Sequence, residues 1–351
     1  MSAGAFPTVK ERIPQLQQWL RPRIEGFDGE IRVDRLTGGR SNPGWRIRTA
    51  TRDCVLRARP GPRAQLLPSA HAIEREFRVQ QALAGSGVPV PAMHALCEDE
   101  SIIGAGFYVM DYIDGDIFRD QSLPGLQPAA RAARYDAMNA AIAGLHLLDV
   151  DGLGLRDYGR GGRYFARQID RWTGQYAASR DRDIPSMQRL IAWLPTQVPT
   201  QDDEPVTLVH GDFRLDNLVF ERGEPRLRAV LDWELSTLGH PLADFAYHVM
   251  SWHIAPGFLA GLGGLDLDAL GIPGERDYVE SYARRTGFDI GAHWDFYLAY
   301  NLFRLAAILQ GVGARARAGM ATDPDALRFG EQVPVLADLG WRFAQRAGRG
   351  P

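Results

Sequence analysis

The stretch LVHGDFRLDNLVF, Leu208 to Phe220, constrains this chain more than any other. Two apolar runs of the kind that form buried strands are interrupted by one polar octet, HGDFRLDN, and then resume. A His, two Asp and an Asn between strands either face water at a turn or are held at a site. Asp212 and Asn217 are separated by four residues, so both can belong to one loop. Fifteen positions beyond Asn217 comes Asp232, closing the apolar run of AVLDWE.

The pattern H-x-D-x-x-x-x-N, then strand, turn, strand and Asp, has the spacing of a protein-kinase catalytic loop and its metal-binding Asp. Phosphoryl transfer asks for these residue types. A carboxylate must lie near the acceptor hydroxyl, here Asp212. Hard oxygen ligands must share magnesium with the phosphates, here Asn217 and Asp232. His210 reads as a hydrogen-bonding support of the loop. Asp216 reads as a turn residue, solvated or bonded to backbone.

Other classes fall away. Lys10 is the only lysine and is followed by Glu11, so the G-K-[ST] of a P-loop is absent. No G-x-S-x-G occurs, and none of the eight histidines precedes an Asp. A net charge of −3 argues against a nucleic-acid binder working through a general positive field. Cys54 and Cys97 are too few for a disulfide framework. No run approaches membrane-spanning length and the first residues lack a signal-type apolar core, so a cytoplasmic protein is expected.

At 351 residues the chain suits two lobes. From Ile31 to Tyr112 it reads as strands with one helix: a turn TGGRSNPG, a hairpin WRIRTA and CVLRARP, then a helix capped by Ser69 with Ile73, Phe77 and Leu83 on its apolar face. VPVPAMHALCED and FYVMDYIDG follow as extended runs. Helical periodicity then dominates over Pro128–Leu148, Tyr164–Ala178, Pro241–His253 and Trp294–Gly311. The residues after Ala344 read as a frayed tail. The expected division is 1–112, a small β-rich lobe, and 113–351, a larger helical lobe.

With HGDFRLDN and LDWE, the chain resembles the aminoglycoside phosphotransferase family, small-molecule kinases. The stretches GGRSNPG, LLPSAHAIEREFRV, VPVPAMHALCED, FYVMDYIDG, YFARQIDRW and LDWELSTLGHPLADFAYH resemble one branch, which includes the kinase-like domains fused to acyl-CoA dehydrogenases. The resemblance runs from about Leu36 to Gly311. It implies an α+β, bilobal protein-kinase-like fold that moves the γ-phosphoryl of ATP, or GTP, with magnesium to a hydroxyl of a small molecule. The alternative it leaves open is a kinase-shaped protein that binds nucleotide or metabolite without turnover.

Carried across by position, Asp212 resembles the catalytic base, and Asn217 and Asp232 the magnesium ligands. Gly38, Gly39 and Ser41 resemble the flexible loop over the phosphates. Glu76 stands where the family's phosphate-lysine partner lies, and Met110, Asp111, Tyr112 and Ile113 where a hinge holds adenine by its backbone. Asp244 suits the first turn of a helix, and the resemblance has it reach back to catalytic-loop N–H groups. The departure is Arg57, in the place of the family's strand lysine. Alternation puts Arg57 and Arg59 on one strand face, and a guanidinium fork keeps the charge while changing its geometry.

Acidic and basic residues after Trp252 are nearly balanced, which does not suit a polycationic antibiotic. Arg304, alone in the apolar run NLFRLAAIL, and Arg167 are candidates to meet a carboxylate or phosphate on the acceptor. The branch resemblance points to hydroxyacyl compounds, free or as coenzyme A thioesters. A plainer reading of Arg304 packs its stem and leaves its head in water.

Overall fold

The computed structural model describes residues 9–36, 42–60, 72–199, 205–291, 293–320 and 324–348. Gly38, Gly39, Ser41 and Ser69 lie outside these residues. The chain divides into two compact units. The first takes the residues up to Asp116 together with Leu153–Leu155 and Asn217–Ser236, and the second takes Ile117–Gly152, Arg156–Asp216 and the chain from Thr237. The boundary cuts the octet itself: Asp212 belongs to the second unit and Asn217 to the first.

In the first unit a short helix, α1 (Ile13–Leu20), precedes strands β1 (Arg32–Arg35), β2 (Gly44–Arg48) and β3 (Asp53–Ala58). Helix α2 (Ile73–Leu83) and strands β4 (Met93–Cys97) and β5 (Phe107–Asp111) follow. The five strands form one antiparallel sheet in the order β1-β2-β3-β5-β4. Period-two alternation sorts β3: Cys54, Leu56 and Ala58 join Ile47, Phe107, Val109, Leu16 and Phe27 in a core on one face. Val55 packs on the other face with Ile73, Tyr108 and Met110. Arg57 shares that second face by the same alternation. Helix α2 begins at Ile73 and buries Glu76 beside Ile73, Val79 and Leu83, so its inward stripe is not wholly apolar.

The second unit is mainly helical: α3 (Pro128–His146), α4 (Tyr164–Ser179) and α5 (Pro185–Trp193) precede strand β6 (Thr207–Val209). The chain re-enters the first unit for the hairpin β7 (Leu218–Phe220) and β8 (Leu227–Val230). It returns with β9 (Thr237–Gly239), which pairs antiparallel with β6, and continues through α6 (Pro241–Val249), α7 (Leu267–Leu270) and α8 (Glu275–Thr286). Helix α9 (Trp294–Arg317) follows, then α10 (Ala326–Glu331) and α11 (Val333–Ala347). Helix α9 is the centre of the unit, buried nearly all round and packed by α4, α6, α10 and α11. Residues after Ala344 continue α11 to Ala347 rather than fraying there. No helix among the described residues is long and apolar enough to cross a membrane.

Candidate functional site

The first unit assembles a partly buried charge cluster around Arg57, with Glu76 at its buried end. Its Nη2 lies 2.6 Å from Asp232 Oδ1, its Nε 3.3 Å from Glu76 Oε2, and Nη2 is also 3.6 Å from Glu234. Glu76 is 1% exposed and accepts from the Tyr108 hydroxyl at 2.9 Å and from the Asn42 amide. Burial raises the Glu76 carboxyl above its usual range, while Arg57, Tyr108 and Asn42 favour its charged form. Burial likewise works against the Arg57 charge, yet Glu76 and Asp232 hold the guanidinium well above even its ordinary value. The fork does what a lysine could not, meeting two carboxylates with different nitrogens. Arg59, on the same strand face, is engaged elsewhere, 2.7 Å from Glu74.

Asp232 follows β8 in the left-handed region, with φ 67° and ψ 62°. A non-glycine residue there carries strain that Asp and Asn bear best, and such positions cluster at functional sites. One residue earlier, the Leu231 N–H donates to the Asn217 carbonyl at 2.8 Å, tying the backbones of the two candidate metal ligands together. An amide oxygen and a carboxylate form an oxygen-only donor set, which fits magnesium. In the hinge segment, Met110 is buried in the core. Asp111 is bound to His94, and the Tyr112 ring lies 3.7 Å beneath the Arg46 guanidinium. Ile113 is partly buried just beyond β5.

The second unit builds the surroundings of Asp212. Between His210 and Asp212 the chain turns at Gly211 with φ +82°, a conformation that suits glycine. Both halves of the turn are bound. Asp244 accepts the N–H groups of His210 at 2.7 Å and Gly211 at 2.8 Å, and Arg304 Nη2 donates to the Gly211 carbonyl at 2.6 Å. His210 Nδ1 accepts the Asp212 N–H at 3.1 Å. Behind Asp244, His146 Nε2 lies 3.2 Å away, with its Nδ1 on Tyr282 at 2.6 Å. Burial works against the Asp244 charge, but His146 and the His210 N–H hold its carboxyl below the usual range. The first-turn cap of α6 falls instead to His240, whose Nδ1 accepts from Leu242.

The Asp212 carboxylate itself accepts from the Tyr247 hydroxyl at 2.7 Å and has Arg214 Nε at 3.5 Å. Tyr247 stands three residues after Asp244, so one face of α6 serves both loop backbone and carboxylate. Tyr247 reads from sequence as a core aromatic, and its role needed the fold. Asp216 is not simply a turn residue: it is ion-paired to Arg214 at 2.5 Å. Arg304 is 5% exposed, with its guanidinium 4.8 Å from the Tyr247 ring centre and 5.7 Å from that of Trp172. Its head is therefore buried in the loop support and does not reach water. Arg167 donates to the carbonyls of Arg160 and Gly161, closing the turn before α4. Asn42 and Glu234 are further site residues that sequence reasoning passed over.

Comparison with known proteins settles the family. The model of the phosphotransferase enzyme family APH matches residues 32–288. The chain belongs to that family. Acyl-CoA dehydrogenase family member 10 of Mus musculus is 46% identical over 341 residues, which are 96% of this chain and 32% of that protein. Acyl-CoA dehydrogenase family member 11 of Homo sapiens is 40% identical over 350 residues, 98% of this chain and 44% of that protein. The chain thus spans a third to under a half of the length of these curated relatives. The crystal structure of a candidate aminoglycoside phosphotransferase from Ralstonia eutropha is 50% identical, with a TM-score of 0.88 over 95% of this chain and 98% of that one. Aminoglycoside phosphotransferase APH(4)-Ia, solved with AMP-PNP and hygromycin B, shares the fold at 15% identity and a TM-score of 0.61, covering 94% of this chain and 98% of that one. The APH chain therefore has the kinase-like fold: a five-stranded antiparallel sheet, then a mainly helical region.

Proposed function

We propose that this APH phosphotransferase moves the γ-phosphoryl group of ATP, with magnesium, to a hydroxyl of a small molecule, and that the acceptor is a hydroxyacyl compound, free or as its coenzyme A thioester. GTP offers the same phosphates and is a second possible donor. The observation that carries the reading is the hold on Asp212. One carboxylate oxygen accepts from Tyr247, and the preceding residue, Gly211, is held at its N–H by Asp244 and at its carbonyl by Arg304. A carboxylate so placed can orient an acceptor hydroxyl and take its proton as the new O–P bond forms.

Asn217 and Asp232 would hold magnesium, which when bound neutralises charge on the phosphates. Arg57, anchored to Glu76, would reach the phosphates, with Gly38, Gly39 and Ser41 closing over them and the backbone of Met110, Asp111, Tyr112 and Ile113 receiving the base. In this assignment residues 1–112 form the nucleotide lobe, and 113–351 carry catalysis and acceptor together with Ile113, Asn217 and Asp232, which also serve the nucleotide. The names of the relatives support an acyl acceptor. Arg167 remains a proposed acceptor contact through the part of its fork not spent on the Arg160 and Gly161 carbonyls, whereas Arg304, buried behind the Asp212 loop, would act on the acceptor through that loop. Two buried free thiols suit a reducing, cytoplasmic setting.

One observation favours a second reading, binding without turnover: the Arg57 fork already holds Asp232, the proposed metal ligand. A thermal-shift screen of nucleotides with and without magnesium, then of hydroxylated metabolites with a non-hydrolysable nucleotide, tests both. The kinase reading expects stabilisation by nucleotide plus magnesium and a further shift from hydroxyacyl compounds but not kanamycin-like polycations. No response to any nucleotide would remove the kinase reading, and no response to any metabolite as well would remove both.

A further inference from the structure

Three strands of the first unit bring unlike donor groups together at one place. Cys54 on β3, His94 on β4 and Asp111 on β5 each offer one ligand atom, and these atoms all lie within 4.8 Å of one another. The sheet order explains the meeting, because β5 runs between β3 and β4. Cys54 and Asp111 are register partners across the β3–β5 ladder, and directly opposite residues project from the same face. The third member arrives by a local irregularity. Pairing of β4 with β5 shifts between Met93 and Ala95, leaving His94 as the extra residue. A bulge of this kind re-aims a side chain, and here it delivers His94 Nε2 to 2.6 Å from Asp111 Oδ1.

We propose that Cys54, His94 and Asp111 form a site for a zinc-class transition-metal ion, separate from the oxygen-donor magnesium site. The donor set decides the class of ion. Thiolate, imidazole and carboxylate together suit zinc or cobalt, whereas magnesium and calcium take oxygen ligands. Exposure supports the geometry. Cys54 is fully buried, while the side chains of His94 and Asp111 are 21% and 40% exposed, so an ion can enter from their side and a water can complete a tetrahedron. The short His94–Asp111 contact brings an imidazole nitrogen and a carboxylate oxygen close enough to face one ion. A bound ion would pin three strands at the last residue of β5, next to Tyr112.

The test is titration of the metal-stripped, reduced full chain with cobalt(II), then displacement by zinc. The expected result is one equivalent of cobalt with a thiolate-to-cobalt charge-transfer band, lost on adding zinc and unaffected by excess magnesium. Cys54→Ser should abolish the band. His94→Gln, at a partly exposed position, should weaken zinc binding at least tenfold and serves as the check if the buried Cys54 change impairs folding. Absence of any thiolate–cobalt band in the wild type overturns the proposal. So does a band that survives in Cys54→Ser, since it would then arise from Cys97.

Discussion

The Tyr247 hydroxyl donates to Asp212 Oδ1 at 2.7 Å, from a residue three places beyond the Asp244 that holds the Asp212 loop by its backbone. One helical turn thus fixes both the position of the carboxylate and its orientation. Burial, then the nearby Asp212 charge, push the Tyr247 phenol far above its ordinary range, so it stays a donor at every working pH. Tyr247→Phe should keep the fold and nucleotide affinity while lowering kcat roughly 10- to 100-fold, the worth of one hydrogen bond to a charged group. Steady-state kinetics on the true acceptor check this. An unchanged kcat would mean that the tyrosine only packs.

The Arg57 fork makes a stability prediction. Arg57→Ala leaves Glu76, Asp232 and Glu234 without their shared cation, and losing one partner of a buried pair costs about 3–5 kcal/mol. Arg57→Lys should fall between, since a point charge cannot meet Glu76 and Asp232 with separate nitrogens. Arg59→Ala should cost less than about 1 kcal/mol, because its pair with Glu74 is part-exposed. Urea denaturation of the three variants orders them; equal losses for Arg57→Ala and Arg59→Ala would refute the clamp.

At Asp232 backbone and charge can be separated. Asn tolerates the left-handed conformation and removes the charge, whereas Ala removes the charge and adds strain of about 1–2 kcal/mol. Both variants should lose the effect of magnesium on nucleotide binding, and Asp232→Ala should also melt lower. Calorimetric titration of nucleotide with and without magnesium is the readout. An undiminished magnesium effect in Asp232→Asn would place the metal elsewhere.

Two buried histidines set an acid limit. Burial, the larger cause in each, holds His240 and His248 down to about 4, so both are neutral in the fold. The unfolded chain takes up their protons near the ordinary value of about 6.5. Their contribution is therefore full above that pH and is lost as the pH falls towards 4, at about 1.4 kcal/mol per pH unit for each histidine. His248→Gln, which keeps a polar group facing the Tyr278 hydroxyl, should remove about half of this slope. Stability measured across that window in wild type and variant decides it.

Much of this was legible beforehand because it is local. Alternation in CVLRAR placed Leu56 and Arg57 on opposite faces, the octet marked the loop of Asp212 and Asn217, and the spacing to LDWE marked Asp232. Helices α3, α4, α6 and α9 showed their starts through period and proline. What escaped notice depends on partners distant in sequence. Nothing in NLFRLAAIL says that Arg304 donates to the carbonyl of Gly211, 93 residues earlier. ADFAYH shows that Asp244 and Tyr247 share a face, but not that Asp212 lies before it. The left-handed Asp232 leaves no trace in composition, because Asp is at home in many conformations. The β4 bulge at His94 emerges only when β4 and β5 are aligned.

Transfer of the γ-phosphoryl group from ATP to a hydroxyacyl acceptor, followed with magnesium in wild type and Asp212→Asn side by side, decides whether Asp212 is the base of a kinase. The wild type should yield a phosphorylated acceptor. The variant should lose roughly 10²–10⁴-fold in rate, with nucleotide affinity retained. Wild-type turnover in Asp212→Asn, or nucleotide binding without transfer to any hydroxylated acceptor, would contradict that role.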